Sequence, residues 1–202
     1  MKSTPPGSPY PSLERYLAQV PGGLDAYPQC QTKAAVVRSI LEEFSLTNLD
    51  ALPPRVADVV RNPPPATGWI PEVVFRCMTR AIFDTHFETP QEYFEWSYHS
   101  QRKLLDGPLY RILFFMVSPE RVAKQASSRW ERFHRGMRLD AAVSDGSLRG
   151  TLTYPPHLVE AFDHRTSMSG FRAGLMLAGA TDVHAALEDV TATRAVLTFR
   201  WR

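Results

Sequence analysis

The sequence predicts an α+β protein in which a helical N-terminal two-thirds packs on a C-terminal four-stranded antiparallel sheet. Up to Gly136 the apolar residues return at the 3.6-residue period of helices. From Met137 they alternate with a period of two, which is typical of strands. The strand-like runs flank one small-residue helix, so the predicted order of the sheet region is ββαββ.

The helical part is predicted from its periodicity and from strong start signals. Thr89, Pro90 and Glu92 form a capping box, in which the hydroxyl and the carboxylate satisfy backbone amides at the first turn. Ser118 before Pro119 is a second cap. The predicted helices are 32–44, 55–61, one that begins at Pro71, one that begins at Pro90, an apolar one from 108 to Val117, and Pro119–Arg135.

Four strand-like runs follow, over residues 137–143, 148–154, 183–187 and 195–201. Asp145 and Gly146 between the first two runs are typical of a hairpin turn. The helix between the pairs is predicted over 166–178. Its residues Gly170, Gly174 and Ala178 are four apart, which predicts a flat stripe that packs closely against the sheet.

Proline content divides the chain, because twelve of the 17 prolines lie in residues 1–71. Residues 1–22 are predicted to be a disordered or loosely docked proline-rich tail. Residues 23–202 are predicted to be a single α+β domain, within which residues 45–70 form a proline-rich connector.

Composition narrows the function classes. A net charge of +2 over 202 residues argues against a nucleic-acid partner. No apolar run approaches the roughly 20 residues of a membrane span, and the N-terminus lacks the apolar core of a signal peptide, so we expect a cytoplasmic protein that does not contact the membrane. Cys30 and Cys77 lack metal-ligand spacing, which favours two buried thiols and predicts no metal site. The oligomeric state is left open.

A row of cations is the best-defined predicted surface. At about 100° per residue, Arg121, Lys124, Arg132 and Arg135 fall on one narrow face of the predicted helix Pro119–Arg135. Such a face binds an anionic ligand or an acidic partner, or it is an ordinary solvated face of an amphipathic helix.

His86, His134 and Asp84 are the candidate acid/base residues. Both histidines also lie near predicted helix ends, where a cationic imidazole interacts favourably with the helix dipole. The sequence contains no nucleophile elbow and no phosphate-binding loop.

Aromatic side chains are dense in the predicted helices, and Tyr98 and Trp130 are candidates for lining a pocket for a flat apolar ligand. The competing interpretation is an aromatic core between helices.

Three stretches carry a family resemblance: 69–72, the Arg/aromatic/Gly run 129–136 (RWERFHRG), and 198–201. With the order of elements they resemble a paralogous group of myxobacterial proteins of about this size. More remotely, helices followed by ββαββ look like the regulatory fold shared by haem-nitric oxide/oxygen-binding (H-NOX) domains and 4-vinyl-reductase domains. This resemblance implies a role in small-molecule sensing or partner binding and carries over no catalytic residue.

One string in the chain also matches the H-NOX pattern. Tyr98, Ser100 and Arg102 fit Y-x-S-x-R, which contacts the porphyrin propionates in H-NOX domains. Those domains also need an axial histidine some tens of residues earlier, and this chain has only His86, twelve residues upstream. On a helix Ser100 points away from the other two side chains. We therefore expect no haem and no other cofactor.

The sequence thus favours a non-enzymatic regulatory module that binds a small ligand or a protein partner. The alternative is an enzyme that acts on a small apolar or anionic substrate with a histidine as acid/base. A pocket that contains a histidine hydrogen-bonded to a carboxylate favours the enzyme, and a closed core with surface histidines favours the module.

Overall fold

Eight α-helices and seven β-strands make up the part of the chain that the structure describes, residues 8–114 and 117–202 of a computed structural model. The helices are α1 Pro11–Gln19, α2 Ala34–Leu41, α3 Pro54–Arg61, α4 Glu72–His86, α5 Pro90–Asp106, α6 Pro119–Lys124, α7 Ala126–Trp130 and α8 Ala161–Leu177. The strands are β1 Gln31–Lys33, β2 Trp69–Pro71, β3 His134–Arg135, β4 Arg138–Ser144, β5 Ser147–Thr153, β6 His184–Glu188 and β7 Arg194–Arg200.

The predicted four-stranded antiparallel sheet is confirmed, with the order β4-β5-β7-β6. β4 and β5 form a hairpin around Gly146, whose φ of 64° requires a residue without a Cβ penalty. β7 is an inner strand, because it pairs with β5 on one side and β6 on the other. Its residues Leu197 and Phe199 are fully buried, so the sheet contributes one face to the core.

A second, three-stranded sheet of order β2-β1-β3 was not predicted. Its strands are two or three residues long, too short for the alternating pattern that marks a strand in a sequence. The pairing places Thr32 of β1 opposite His134 of β3. Glu72 begins α4 directly after β2, so this sheet brings three distant parts of the chain together.

The predicted helix starts are largely confirmed. Thr89 Oγ1 accepts a hydrogen bond from the amide of Glu92 at 3.3 Å, while Glu92 Oε2 accepts from the amide of Glu88 at 3.1 Å. Ser118 Oγ accepts from the amide of Arg121 at 3.3 Å. The connector 45–70 contains α3, at the position where the sequence predicts a short helix.

The N-terminal segment differs from its prediction. Residues 1–7 lie outside the described residues, but residues 8–22 are docked on the domain through α1. Tyr16 is fully buried beneath the guanidinium of Arg80, 4.0 Å from its ring centroid, and its hydroxyl donates to the carbonyl of Leu158 at 3.0 Å. The burial of Tyr16 and Leu13 stabilises this docking, although the turn-rich composition of the segment predicts a loose tail.

The predicted helix Pro119–Arg135 is also wrong as a single element. It breaks at Gln125, whose φ of −97° and ψ of 10° lie outside the helical region, and it ends at Trp130. Pairing of His134 with Thr32 in the small sheet removes the last residues from the helix. The row of four cations is therefore distributed over one short helix (Arg121 and Lys124 in α6), a turn (Arg132) and a strand (Arg135 in β3).

Two further predictions are corrected. The apolar stretch after Gly107 forms a short 3₁₀ turn, Arg111–Leu113, instead of an α-helix. Residues 115 and 116 of the predicted helix lie outside the described residues. The glycines of α8 face helical neighbours instead of the sheet. A Cβ on Gly170 would lie 2.0 Å from Gln101 Oε1, and one on Gly174 would lie 2.9 Å from the Phe114 ring.

Candidate functional site

A partly open cavity of about 160 Å³ lies between α5, α8 and the α6–α7 segment. Side chains on successive turns of α5 and α8 form two of its walls, and Gly170 lets α8 approach Gln101 of α5 closely. Most of the wall is apolar. Its aromatic members are Phe75, Tyr93, Trp96, Phe114, Trp130, Phe133 and Phe171.

The polar side chains of the wall are few. Gln101 Nε2 donates to Ser97 Oγ at 2.8 Å and to the carbonyl of Thr166 at 2.9 Å, which links α5 to α8. Arg129 and His134 are the charged or titratable basic groups of the wall, and none of the described lining residues is a carboxylate or a thiol. The cavity is therefore suited to an apolar ligand with a few oriented polar contacts.

Trp130 and His134 form a stacked pair in the wall. Their ring centroids are 3.9 Å apart with an interplanar angle of 21°. Trp130 is buried and its indole N–H donates to the carbonyl of Met137 at 3.3 Å, which fixes the ring. The candidate ligand residue Trp130 thus lies in the cavity wall, as an anchored aromatic group.

His134 is tied to a buried carboxylate. Its Nδ1 lies 3.5 Å from Glu72 Oε2 and 3.3 Å from Thr32 Oγ1, and the Thr32 hydroxyl donates to the same carboxylate oxygen of Glu72. Burial raises the pKa of the Glu72 carboxyl, but Arg76 and His134 outweigh that effect and hold this pKa below its ordinary value. Glu72 is therefore an anion that orients the His134 ring.

The Glu72 carboxylate continues into a buried ionic network. Arg76 Nη2 lies 2.6 Å from Glu72 Oε1, and Arg76 Nη1 lies 2.8 Å from Asp163 Oδ1. Arg80, one turn further along α4, binds Asp163 Oδ2 at 2.8 Å and Glu160 Oε2 at 2.7 Å. Burial raises the pKa of Asp163, but the two arginines outweigh it and hold the pKa well below its usual range.

The other predicted acid/base residues lie away from the cavity. Asp84 Oδ2 accepts from the backbone amides of Ser12 at 2.9 Å and Leu13 at 3.4 Å, so it caps the start of α1. His86 is exposed, with Nε2 2.9 Å from the carbonyl of Ser45. Neither residue is brought together with His134.

The predicted binding residues do not come together at one site. Tyr98 lies outside the wall, 4.8 Å from the Arg172 guanidinium that covers its ring. Arg135 lies over the ring of Trp69 at 3.9 Å. Arg121, Lys124 and Arg132 are exposed.

Several site residues were not singled out from the sequence. Glu72, Arg76 and Arg80 are spaced four apart in a mostly apolar stretch of helix, a pattern that signals side chains on one face. Arg129 carries a similar signal, because it falls between the apolar positions Ala126 and Phe133 at helical spacing. Asp163 had no such signal, since residues 157–165 have no clear period.

The described ranges give little support for metal binding, for a reactive thiol or for a membrane-spanning helix. No group of three or more His, Cys, Asp or Glu side chains there is placed to hold a metal ion. Cys30 and Cys77 are buried free thiols, and burial raises their pKa values to about 11 and about 12. Among residues 8–114 and 117–202, no helix has the length and apolarity to cross a membrane.

Comparison with solved structures confirms the topological likeness to H-NOX domains. One match comes from work on modulating haem redox potential through protein-induced porphyrin distortion; it has a TM-score of 0.55 and 6% identity, and it covers 83% of this chain and 96% of that one. A variant of an H-NOX domain matches with a TM-score of 0.53 and 8% identity, over 83% and 92% of the two chains.

A third structure, from work on haem distortion in the H-NOX family, has a TM-score of 0.50 and 10% identity over 84% and 95% of the chains. These identities are low, so the likeness establishes the fold alone. No family model matches the chain, and the search of curated proteins finds no relative.

The residues of this chain do not fit a haem. Ser100 lines the cavity while Tyr98 and Arg102 do not, so the Y-x-S-x-R string is not assembled at one site. A cavity of about 160 Å³ is of the size that holds a single aromatic ring. His134 is the one histidine in the described wall, and one face of its ring is covered by Trp130.

Proposed function

We propose that this protein is a non-enzymatic regulatory module of the cytoplasm that binds a small, largely apolar molecule in the cavity between α5, α8 and α6–α7. The observation that carries the proposal is the cavity itself, about 160 Å³ in volume and lined mostly by aromatic and aliphatic side chains. The H-NOX-like fold supports it only as a fold that is known to enclose a ligand.

The volume defines the size of the ligand. An engineered apolar cavity of about 150 Å³ in another protein binds benzene or xenon. A cavity of about 160 Å³ therefore suits one aromatic ring or a short branched chain. Stacking on Trp130 and Phe171, whose rings are parallel with centroids 6.2 Å apart, would favour a flat ligand.

The regulatory part of the proposal rests on which elements form the wall. α8 contributes one wall, and its first turn contains Asp163, which binds Arg76 and Arg80 of α4. His134 of the wall contacts Glu72 in the same network. A ligand that shifts His134 or α8 would thus change ion pairs outside the cavity, which is how a binding event reaches a surface.

Toluene is a suitable probe for the cavity, with a filled cavity as the control. Ser100→Leu places a larger apolar side chain in the wall, and Arg102→Leu places the same side chain at an exposed position of the same helix. At about ten times Kd, toluene should raise the Tm of the wild type and of Arg102→Leu by about 3–6 °C. Ser100→Leu should show no rise.

The same experiment decides against the proposal if toluene leaves every Tm unchanged or if Ser100→Leu responds like the wild type. Native mass spectrometry of freshly purified protein complements it, because one spectrum reports both a retained ligand and the assembly state.

An enzyme that uses His134 as acid/base is a second candidate, favoured by the contact between His134 Nδ1 and Glu72 at the cavity wall. In that arrangement the carboxylate holds the ring and Nε2 exchanges a proton with the substrate. The absence of any carboxylate or thiol among the described lining residues favours the binding module. Each compound that raises the Tm should be followed by proton NMR: conversion by the wild type but not by His134→Gln would establish the enzyme.

A regulatory module also needs a partner, and the exposed cations Arg121, Lys124 and Arg132 are the surface we propose for an acidic protein. No carboxylate in the described parts of the chain pairs with these three side chains at salt-bridge distance. Their charges are therefore available to an external anion.

A further inference from the structure

Arg129 is the one permanently charged side chain among the described lining residues of the cavity. It lies on α7, one residue before Trp130, in a wall that is mostly apolar. Its guanidinium lies over the ring of Phe114 with its carbon 4.7 Å from the ring centroid. The cavity therefore has a net positive charge at one point of its surface.

The hydrogen bonds of this guanidinium are incomplete. Nη2 donates to Gln125 Oε1 at 2.9 Å. Nε and Nη1 are closed off from solvent and have no hydrogen-bond partner in the described part of the chain. A buried donor without a partner costs about 1–3 kcal/mol, and more when it is charged, so a group that accepts from these N–H groups would be strongly favoured.

The charge of Arg129 is also uncompensated. None of the described carboxylates lies within salt-bridge distance of it, and the cation Arg132 acts on it unfavourably. Burial, and then Arg132, lower the pKa of the Arg129 guanidinium. In contrast, the buried arginines Arg76 and Arg80 each have two carboxylate partners.

We propose that the ligand of the cavity is a small monocarboxylate with an apolar body, about the size of benzoate, and that Arg129 binds its carboxylate. This inference rests on the proposed ligand-binding function. One arginine with no other cation in the wall matches one negative charge, which favours a carboxylate over a phosphate. The second hydrogen on Nη2 and those on Nη1 form the end of the guanidinium that binds a carboxylate through two parallel hydrogen bonds.

Phe114 covers one face of the guanidinium, so the carboxylate approaches in the guanidinium plane while the apolar body lies against the aromatic wall. Because Nε and Nη1 are closed off from solvent, binding includes a rearrangement of the side chains around them.

Benzoate and benzamide separate the charge from the shape, because they have nearly the same size and differ in charge. Their dissociation constants should be measured by calorimetry for the wild type, Arg129→Met, Arg129→Lys and the control Arg165→Gln, which removes an exposed cation of α8 outside the wall. We expect Arg129→Met to weaken benzoate binding by about 10–100-fold, since hydrogen bonds to charged groups contribute about 1.5–3 kcal/mol. Benzamide binding should change by less than about threefold, and Arg165→Gln should leave both unchanged.

Folding of the variants is checked by thermal melting without ligand. Removing a partly buried cation that has no carboxylate partner should leave Arg129→Met at least as stable as the wild type. Arg129→Lys keeps the charge without the fork of donors and should bind benzoate with intermediate affinity.

Four results would overturn the inference. If benzamide binds the wild type as tightly as benzoate, or if Arg129→Met binds benzoate normally, the cavity binds ligands but Arg129 does not bind the carboxylate. If toluene binds and benzoate does not, the cavity excludes acids. If none of the three compounds binds, the proposed function fails together with this inference.

Discussion

Glu72 Oε2 lies 3.5 Å from His134 Nδ1, which joins the first residue of α4 to the wall of the cavity. The same carboxylate binds Arg76 through its other oxygen at 2.6 Å, and Arg76 binds Asp163 in the first turn of α8. A residue of the cavity wall is therefore connected to a buried charge network by direct contacts.

Replacing Glu72 with glutamine should destabilise the protein strongly. The change leaves the buried Arg76 guanidinium with one carboxylate partner and removes the anion beside His134, and breaking a buried pair in this way costs about 3–5 kcal/mol. Urea denaturation gives the free energy of unfolding. Glu95→Gln, at an exposed position of α5, is the control. A loss below about 1 kcal/mol would show that the network does not stabilise the fold.

The pH dependence of stability should depend on His164. Burial lowers its pKa to about 4. Its Nε2 lies 2.9 Å from the Tyr154 hydroxyl, which donates to the carbonyl of Thr191, and its Nδ1 is buried without a partner among the described residues. This arrangement assigns a neutral ring with the proton on Nε2.

In the unfolded chain the His164 imidazole becomes protonated with a pKa of about 6.5. The contribution of the neutral His164 ring to the free energy of unfolding is therefore complete above that pH and is lost as the pH falls toward about 4. It amounts to roughly 3 kcal/mol at most. The lowered pKa values of Glu72 and Asp163 have the same sign, and their contributions are lost at still lower pH.

Unfolding free energies at about pH 7 and about pH 4.5 measure the His164 contribution. His164→Gln should reduce the difference between the unfolding free energies at the two pH values. His99→Gln, at an exposed position, should preserve that difference. Equal pH dependence in wild type and His164→Gln would contradict the assignment.

Deleting the last eight residues should unfold the protein. The deletion removes Leu197, Phe199 and Trp201, which are buried, at roughly 1.5–3 kcal/mol each, from a net stability of about 5–15 kcal/mol. It also leaves β5 and β6 without the strand between them. Circular dichroism and melting curves test this, and native melting of the truncated chain would contradict the sheet order.

Thr89→Ala should weaken the start of α5. The amide of Glu92 loses the acceptor that lies 3.3 Å away, at a cost of about 0.5–2 kcal/mol. The exposed neighbour Gln91→Ala is the control, and chemical denaturation is the measurement. An unchanged denaturation midpoint for Thr89→Ala would mean that water satisfies the amide of Glu92 as well as the Thr89 hydroxyl does.

Replacing Arg121, Lys124 and Arg132 together with glutamine should change the free energy of unfolding by less than about 1 kcal/mol, because exposed charges contribute little. The same change should lower the salt concentration at which the protein elutes from immobilised heparin, a polyanionic probe. Arg135 is left in place because it packs on Trp69. Elution at the wild-type salt concentration would show that these cations do not form an anion-binding surface.

The sequence by itself determined the elements whose signals are local. Caps at Thr89 and Ser118, the hairpin at Gly146 and the period of two after Met137 depend on residues within a few positions of each other, so the ββαββ order and the helix starts could be predicted. The same logic singled out Trp130, which lies in the wall of the cavity.

The tertiary structure alone decided how the cavity is built. The short strand β1 draws His134 out of the predicted helix, and Glu72, Arg76 and Asp163 meet from α4 and α8. Arg129 lacks a carboxylate because none of the described distant segments brings one to it. Such contacts join residues far apart in the chain, and local period carries no information about which distant charge or ring a side chain will meet.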